Sequence, residues 1–278
     1  MSVLRTYEFE TPRPVELVVE TDQGTVRVTA TDTTETRIRV VGADARETSV
    51  EQADGRIEIT APRRRRGFLS GAPGSLDVEV ELPAGSDAAI RTGSADVTLE
   101  GALRRLQVRT GSGGVRVEQL TGPGRVETGS GDVRVQQAAG ELQVKTGSGD
   151  LEVTRAAGAL AVSAGSGDVV LDAVEGPVMV KTGTGDLLIR AAHADVSMTT
   201  GSGDLAIGSA HRGRLQARGA SGDVRIGIPL GVPVWTDLST VTGSIRSEVR
   251  GTGAPAEGAD HVELRATSVS GDIVLVEA

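Results

Sequence analysis

The chain contains no cysteine, and among its 278 residues there are only one Trp, one Tyr and two Phe. Without cysteine there is no disulfide framework, no iron–sulfur cluster, no thiolate zinc site and no thiol nucleophile. Four aromatics cannot build the stacking platforms used by many sugar-binding and single-strand-binding surfaces. Positive charge is also in deficit: 29 Lys plus Arg stand against 38 Asp plus Glu, a formal net charge of −9. That balance argues against a nucleic-acid partner, because phosphate contacts need clustered positive charge. No apolar run approaches a membrane span, and the start from Met1 to Tyr7 has no apolar signal core. A cytoplasmic location without integral membrane association is therefore expected. What the chain has in excess is glycine, 38 residues, nearly double the roughly 7% of average proteins.

The glycines belong to a repeat, the first thing to look for in such a sequence. Thr-Gly-Ser-Gly-Asp, followed by an apolar, variable, apolar triplet, occurs at Thr128–Val135 and again at Thr146–Val153. Anchored on the Asp position, the unit recurs at a constant step: Asp96, Gly114, Asp132, Asp150, Asp168, Asp186 and Asp204. Asp223, Ser244 and Asp272 continue it at wider spacing, and fainter copies around Thr25 and Arg56 precede it. Apolar residues alternate on both sides of the anchor, as Val133/Val135 and Leu151/Val153 after it and Leu142/Val144 and Leu160/Val162 before it. Period-two alternation identifies strands, so each unit reads as two short strands joined by a Gly-rich turn.

One such unit cannot bury its own apolar stripe, whereas stacked units can. The predicted fold is all-β: a single-stranded parallel β-solenoid, or β-helix, of 18-residue rungs. About twelve rungs fit the chain, and the usual sense of parallel crossovers predicts a right-handed coil. One domain is read over 1–278, with irregular rungs and a cap in 1–90, regular repeats in 91–226, and irregular rungs and a cap in 227–278. A two-strand rung has a thin interior that admits little larger than Leu or Ile, which accounts for the missing aromatics. Tyr7, Phe9, Phe68 and Trp235 lie outside the regular block and are expected to plug irregular rungs and the open ends.

The Thr-Gly-Ser-Gly-Asp-Val-x-Val repeats, the preceding segment Leu76–Gly85 and the closing run Val262–Ile273 resemble the bacterial β-strand-repeat family known as Toastrack, or "putative adhesin", a domain of unknown function. The resemblance spans essentially the whole chain. It implies a β-solenoid and no established enzyme activity.

Four sets of residues are candidates for function. The Asp row (Asp96, Asp132, Asp150, Asp168, Asp186, Asp204, Asp223) points outward by parity. Asp at a Gly-rich turn commonly accepts backbone N–H or hydroxyl bonds, and that structural reading is favoured. The alternative is a calcium ladder, but calcium takes six to eight oxygens, and here the row supplies a single carboxylate per two-strand unit. A second row, Glu175, His193 and His211, shares one register and should stack along one edge. Imidazole and carboxylate suit zinc or nickel, although polar residues at a solvated turn need no metal. Third, Ala161, Val170, Met179, Leu188 and Ala206 occupy outward positions where neighbouring rungs carry charge. They mark either an interaction face or a surface packed beneath a loop such as residues 228–235. Fourth, Arg63, Arg64, Arg65 and Arg66 with Phe68 form a basic loop, suited to an anionic membrane surface or an acidic partner, or simply solvated.

Enzyme chemistry finds little support. No phosphate-cradling loop opens a helix, and no nucleophile, His and acid stand in a recognised spacing. No catalytic residues and no cofactor are expected. The expected role is a non-catalytic cytosolic scaffold or protein-interaction module, with another protein or a second copy as partner. A divalent-metal-binding repeat module is one alternative. The other is a carbohydrate-active β-helix enzyme using paired carboxylates, which would need the long loops and aromatics that residues 91–226 lack.

Overall fold

The computed structural model describes residues 3–62, 75–250 and 260–278. The basic loop Arg63–Arg66 and Phe68 lie outside the described residues. Apart from one 3-10 turn, Ala43–Arg46, every regular element described is a β-strand. The chain forms two compact units, Met1–Gly140 and Glu141–Ala278. In the regular repeats of both, the strands that follow the Gly-rich turn lie in one sheet (sheet I) and those that precede it lie in another (sheet II).

In the second unit successive strands alternate between the sheets throughout. Sheet I runs in space as Leu151–Ala156, Val169–Val174, Leu187–Ala192, Leu205–Ala210, Val224–Ile228, Ile273–Glu277 and Ile245–Ser247. Sheet II runs as Leu142–Thr146, Leu160–Ala164, Val178–Thr184, Val196–Ser202, Gly213–Ser221, Val262–Ser270 and Val234–Thr240. Val169 stands opposite Leu187 and Leu171 opposite Ile189, in parallel pairing, so like positions of the repeat meet. The interior is therefore built of columns: Leu151, Val169, Leu187, Leu205 and Val224 are all buried, as are Val178, Val180, Val196 and Met198 across in sheet II. Each buried residue is followed by one facing outward, which is the alternation of the sequence made physical.

Spatial order departs from chain order at the end of this unit. The last two strands of the chain, Val262–Ser270 and Ile273–Glu277, insert between Gly213–Ser221/Val224–Ile228 and Val234–Thr240/Ile245–Ser247. The first unit does something similar. Gly24–Thr31 lies between Asp96–Leu103 and Leu76–Pro83, and Glu16–Glu20 lies between Arg56–Thr60 and Asp87–Thr92. Antiparallel strands finish this side: Glu35–Gly42 on Leu76–Pro83, Val3–Glu10 on Glu35–Gly42, and Ser49–Ala53 on Arg56–Thr60. The long sequence separations between these partners hide the pairing from a reading that follows the chain.

The expectation for the aromatics needs correction at Trp235. Tyr7 and Phe9 are partly buried on the edge strand Val3–Glu10, with the Arg5 guanidinium 5.1 Å from the Tyr7 ring centre. Trp235 plugs nothing: it is 67% exposed. It lies at an outward-parity position, opposite Glu263, while its neighbours Val234 and Thr236 stand opposite the buried Val262 and Leu264.

Candidate interaction surfaces

The Asp row is a hydrogen-bonded ladder. The backbone N–H of Asp168 donates to Asp150 Oδ1 (3.0 Å), that of Asp186 to Asp168 (2.8 Å), that of Asp204 to Asp186 (2.9 Å) and that of Asp223 to Asp204 (2.8 Å). Beyond Asp223 the ladder follows space: Asp272 N–H donates to Asp223 Oδ1 and Ser244 N–H to Asp272 Oδ1, both at 2.8 Å. In the first unit Asp96 receives the N–H of Gly114 at 2.8 Å. One oxygen of each of these carboxylates is thus committed to the backbone of the adjacent rung.

Such bonds favour the ionised carboxylate. The Ser244 backbone N–H, aided by the nearby Arg246, holds the Asp272 carboxyl below its ordinary value of 3.8. A depressed pKa contributes stability above the unfolded-state value and loses it as pH falls through the folded-state value. Wild type should therefore melt above an Asp272→Ala variant at neutral pH, with the gap closing as pH falls below the ordinary carboxylate range. Melting curves from neutral to acid pH check this, and a gap that persists in acid would assign the difference to something other than the ionised Asp272 carboxylate.

Glu175, His193 and His211 do occupy neighbouring rungs. The two imidazoles are stacked, with ring centres 4.2 Å apart and planes 16° from parallel. Stacked rings direct their nitrogens side by side, away from a common point. His211 Nε2 lies 3.0 Å from Ser209 Oγ, and Glu175 Oε1 accepts from Arg155 at 2.7 Å. Burial first, and the neighbouring His193 second, hold the His211 imidazole below its ordinary value. Among the described residues no three His, Cys, Asp or Glu side chains are placed to hold a metal ion. Shared register brought the three residues together without making them converge.

The five outward apolar residues separate into two groups. Val170, Leu188 and Ala206 form one column on the outer face of sheet I. All three are half-buried, beside the ion pair of Arg190 with Asp172. Ala161 and Met179 stand opposite each other on the outer face of sheet II, followed by Ser197, and Met179 is 51% exposed. Leu230, within the loop considered as a cover, is itself 75% exposed.

The sheet II group sits in a concavity. Ala161, Met179 and Ser197 line it together with Ala159, Pro177, Asp195 and Glu141, around a volume of about 400 Å³. Arg214 and Gln216 close one end and also line a second hollow of about 510 Å³ that reaches Trp235. Two ion pairs floor this second hollow, Arg214 to Glu263 at 3.0 Å and Arg265 to Asp237 at 2.8 Å. The backbone N–H of Arg214 also donates to Asp195 at 2.8 Å. The outer face of sheet II therefore carries a hollow with an apolar patch at Ala161 and Met179 flanked by Glu141 and Asp195, then a self-neutralised stretch and an exposed indole. Sequence reasoning identified Ala161 and Met179 but missed Trp235. Its outward parity against Val234 was the available signal, and only the inserted strand Val262–Ser270 explains why it joins this face.

The Toastrack DUF4097 family profile matches residues 15–276. No curated protein matches the chain. Among solved structures, a "putative lipid binding protein" from Parabacteroides distasonis is 13% identical, covering 99% of this chain and 97% of its own, with a TM-score of 0.47. A "putative adhesin" from Bacteroides fragilis is 12% identical over 99% and 97% of the two chains, with a TM-score of 0.40. Another "putative adhesin", from Parabacteroides merdae, is 14% identical over 99% and 96%, with a TM-score of 0.32. The profile match begins just before the strand Glu16–Glu20 and runs into the last strand, Ile273–Glu277. With that match over nearly its full length, the chain belongs to the Toastrack DUF4097 family.

Proposed function

We propose that this protein is a non-catalytic, cytoplasmic protein-interaction module, a right-handed solenoid of 18-residue rungs that presents the sheet II trough of residues 141–278 to a protein partner. The observation that carries this reading is the exposed apolar patch of Met179 and Ala161, set in a concavity rimmed by Glu141 and Asp195 and continued toward the exposed Trp235. Exposed apolar surface in a hollow with a polar rim is the usual anatomy of a protein-binding patch. A Met at its centre adapts to a partner's shape, because its side chain is unbranched and polarizable. Parallel sheets built from a repeat hold such a face on rigid backbone, with columns rather than loops setting the side-chain positions.

The test is partner capture from the source cells, followed by titration of the purified partner against variants. Met179→Glu is expected to weaken binding at least about tenfold, the scale of a central interface residue. Val170→Glu, on the other sheet, should leave the affinity unchanged, and circular dichroism should show both variants folded. Equal affinity for wild type and Met179→Glu would refute the assignment of this face.

A further inference from the structure

The unit 141–278 terminates in two edge strands, Val234–Thr240 in sheet II and Ile245–Ser247 in sheet I, and no described strand lies beyond either. Their inward positions continue the core columns: Val234, Thr236 and Leu238 stand opposite Val262, Leu264 and Ala266, and Ile245 stands opposite Ile273. The inner partners are buried. The edge residues are not: Thr236 and Ile245 are exposed, and Val234 and Leu238 are half-buried. Among the described residues, no strand covers the apolar interior on this side.

Among the described residues the outward backbone groups of this edge have no strand partner either. Val262 N–H donates to the Pro233 carbonyl at 2.9 Å. In a parallel ladder alternate residues bond to the same neighbour, so the N–H and C=O groups of Val234, Thr236, Leu238 and Thr240 turn outward. Edge strands are normally guarded by charge, proline or a covering element. In the first unit Val3–Glu10 carries Arg5, Glu8 and Glu10, and the 3-10 turn Ala43–Arg46 has Asp44 and Ala45 buried. Val234–Thr240 carries a single charge, Asp237, already engaged by Arg265.

We propose that this edge is a self-association surface, on which Val234–Thr240 pairs antiparallel with the same strand of a second copy about a two-fold axis. The strand's own sequence argues for a second copy. With Thr236 opposite its equivalent, Val234 meets Leu238 twice on the inner face, a Thr–Thr pair sits on the axis, and Trp235 meets Asp237 on the outer face. There Arg265, 2.8 Å from Asp237, brings a cation beside the indole. Apolar, Thr–Thr and cation–aromatic neighbours of this kind each stabilise a strand pair. A two-fold contact uses the same edge on both copies and closes at the dimer. A seven-residue strand is only about 23 Å long, so the contact falls at the small end of specific interfaces and a micromolar dimer is expected.

The test is sedimentation of the full chain from about 1 to 500 μM, a range that brackets micromolar association. Wild type is expected to pass from monomer to dimer. Thr236→Pro deletes an outward N–H and leaves the ladder to Val262–Ser270 intact, so it should stay monomeric with unchanged circular dichroism. Leu238→Lys is the second variant should proline perturb the strand, and it should also stay monomeric. Because the chain has no cysteine, Thr236→Cys places one thiol per copy at the axis. Paired Cα atoms about 5.5 Å apart in an antiparallel ladder are within disulfide reach, so oxidation should give a cross-linked dimer. A monomeric wild type over the whole range, species larger than a dimer, or a dimer untouched by both Thr236→Pro and Leu238→Lys would each overturn the proposal.

Discussion

Replacing Gly167 with alanine is expected to destabilise the 141–278 unit by more than about 3 kcal/mol, at the severe end for a single methyl group. A Cβ at Gly167 would lie 2.1 Å from the Gly149 carbonyl oxygen, 2.6 Å from its carbon and 3.1 Å from the Asp150 nitrogen. All three are backbone atoms of the adjacent rung, and none can rotate aside as a side chain would. Relief requires the two rungs to part at the turn, where Asp168 N–H meets the Asp150 carboxylate at 3.0 Å. Moving the rungs apart would thus break the ladder as well. Gly219→Ala is the matched control: its Cβ would meet nothing closer than Thr200 Cγ2 at 3.8 Å, an ordinary contact. That variant should be neutral or slightly stabilising, since alanine loses less backbone entropy than glycine on folding. Urea unfolding of the two variants makes the comparison. Equal stabilities would show that the turn does not stack as closely as described.

The second large effect is expected at Leu171. This side chain is fully buried and stands opposite Val153 on one side and Ile189 on the other. Leu171→Ala should cost about 2–5 kcal/mol, because a thin core held by strand ladders on both faces has little room to collapse around the cavity. Leu188 belongs to the next column, faces outward and is half-buried. Leu188→Ala should cost less, about 1–2 kcal/mol, since part of its surface stays in solvent and no closed cavity is left behind. Comparable losses from the two substitutions, read from the same denaturation curves, would mean that the inward and outward parities are wrongly assigned.

Most of the architecture was legible because its determinants are local. Alternation such as Val169-Val170-Leu171 sets a strand and its buried face within one short segment. The constant step between successive anchors sets which strand lies beside which, as in Val169 opposite Leu187. The constant step also sets the Asp positions in line, whereas the bond each carboxylate makes to the turn of the next rung, as Asp150 to Asp168 N–H, is seen only in the structure. Less of the candidate surface could be read. Ala161 and Met179 were identified by parity, but so were Val170, Leu188 and Ala206, and parity gives no indication of which of two sheets offers a hollow. The residues Glu175, His193 and His211 show the limit from the other side: register predicts proximity, while convergence depends on ring orientation and on the competing Arg155.

The sequence by itself determined the all-β class, the two-strand unit, its inward columns and the family, because side-chain parity and a constant repeat length act between near neighbours in chain and space. Only the tertiary structure decided the order of strands where the repeat length fails. There, Val262–Ser270 displaces Val234–Thr240 from its place beside Gly213–Ser221, and Gly24–Thr31 meets the distant segment Asp96–Leu103, with Thr25 opposite Asp96. The physical reason is that an edge strand accepts any segment whose alternation and amide register match, so long-range pairing is settled by the packing of the whole sheet. That choice set Trp235 on an outer face and left the Val234–Thr240 edge unpaired among the described strands.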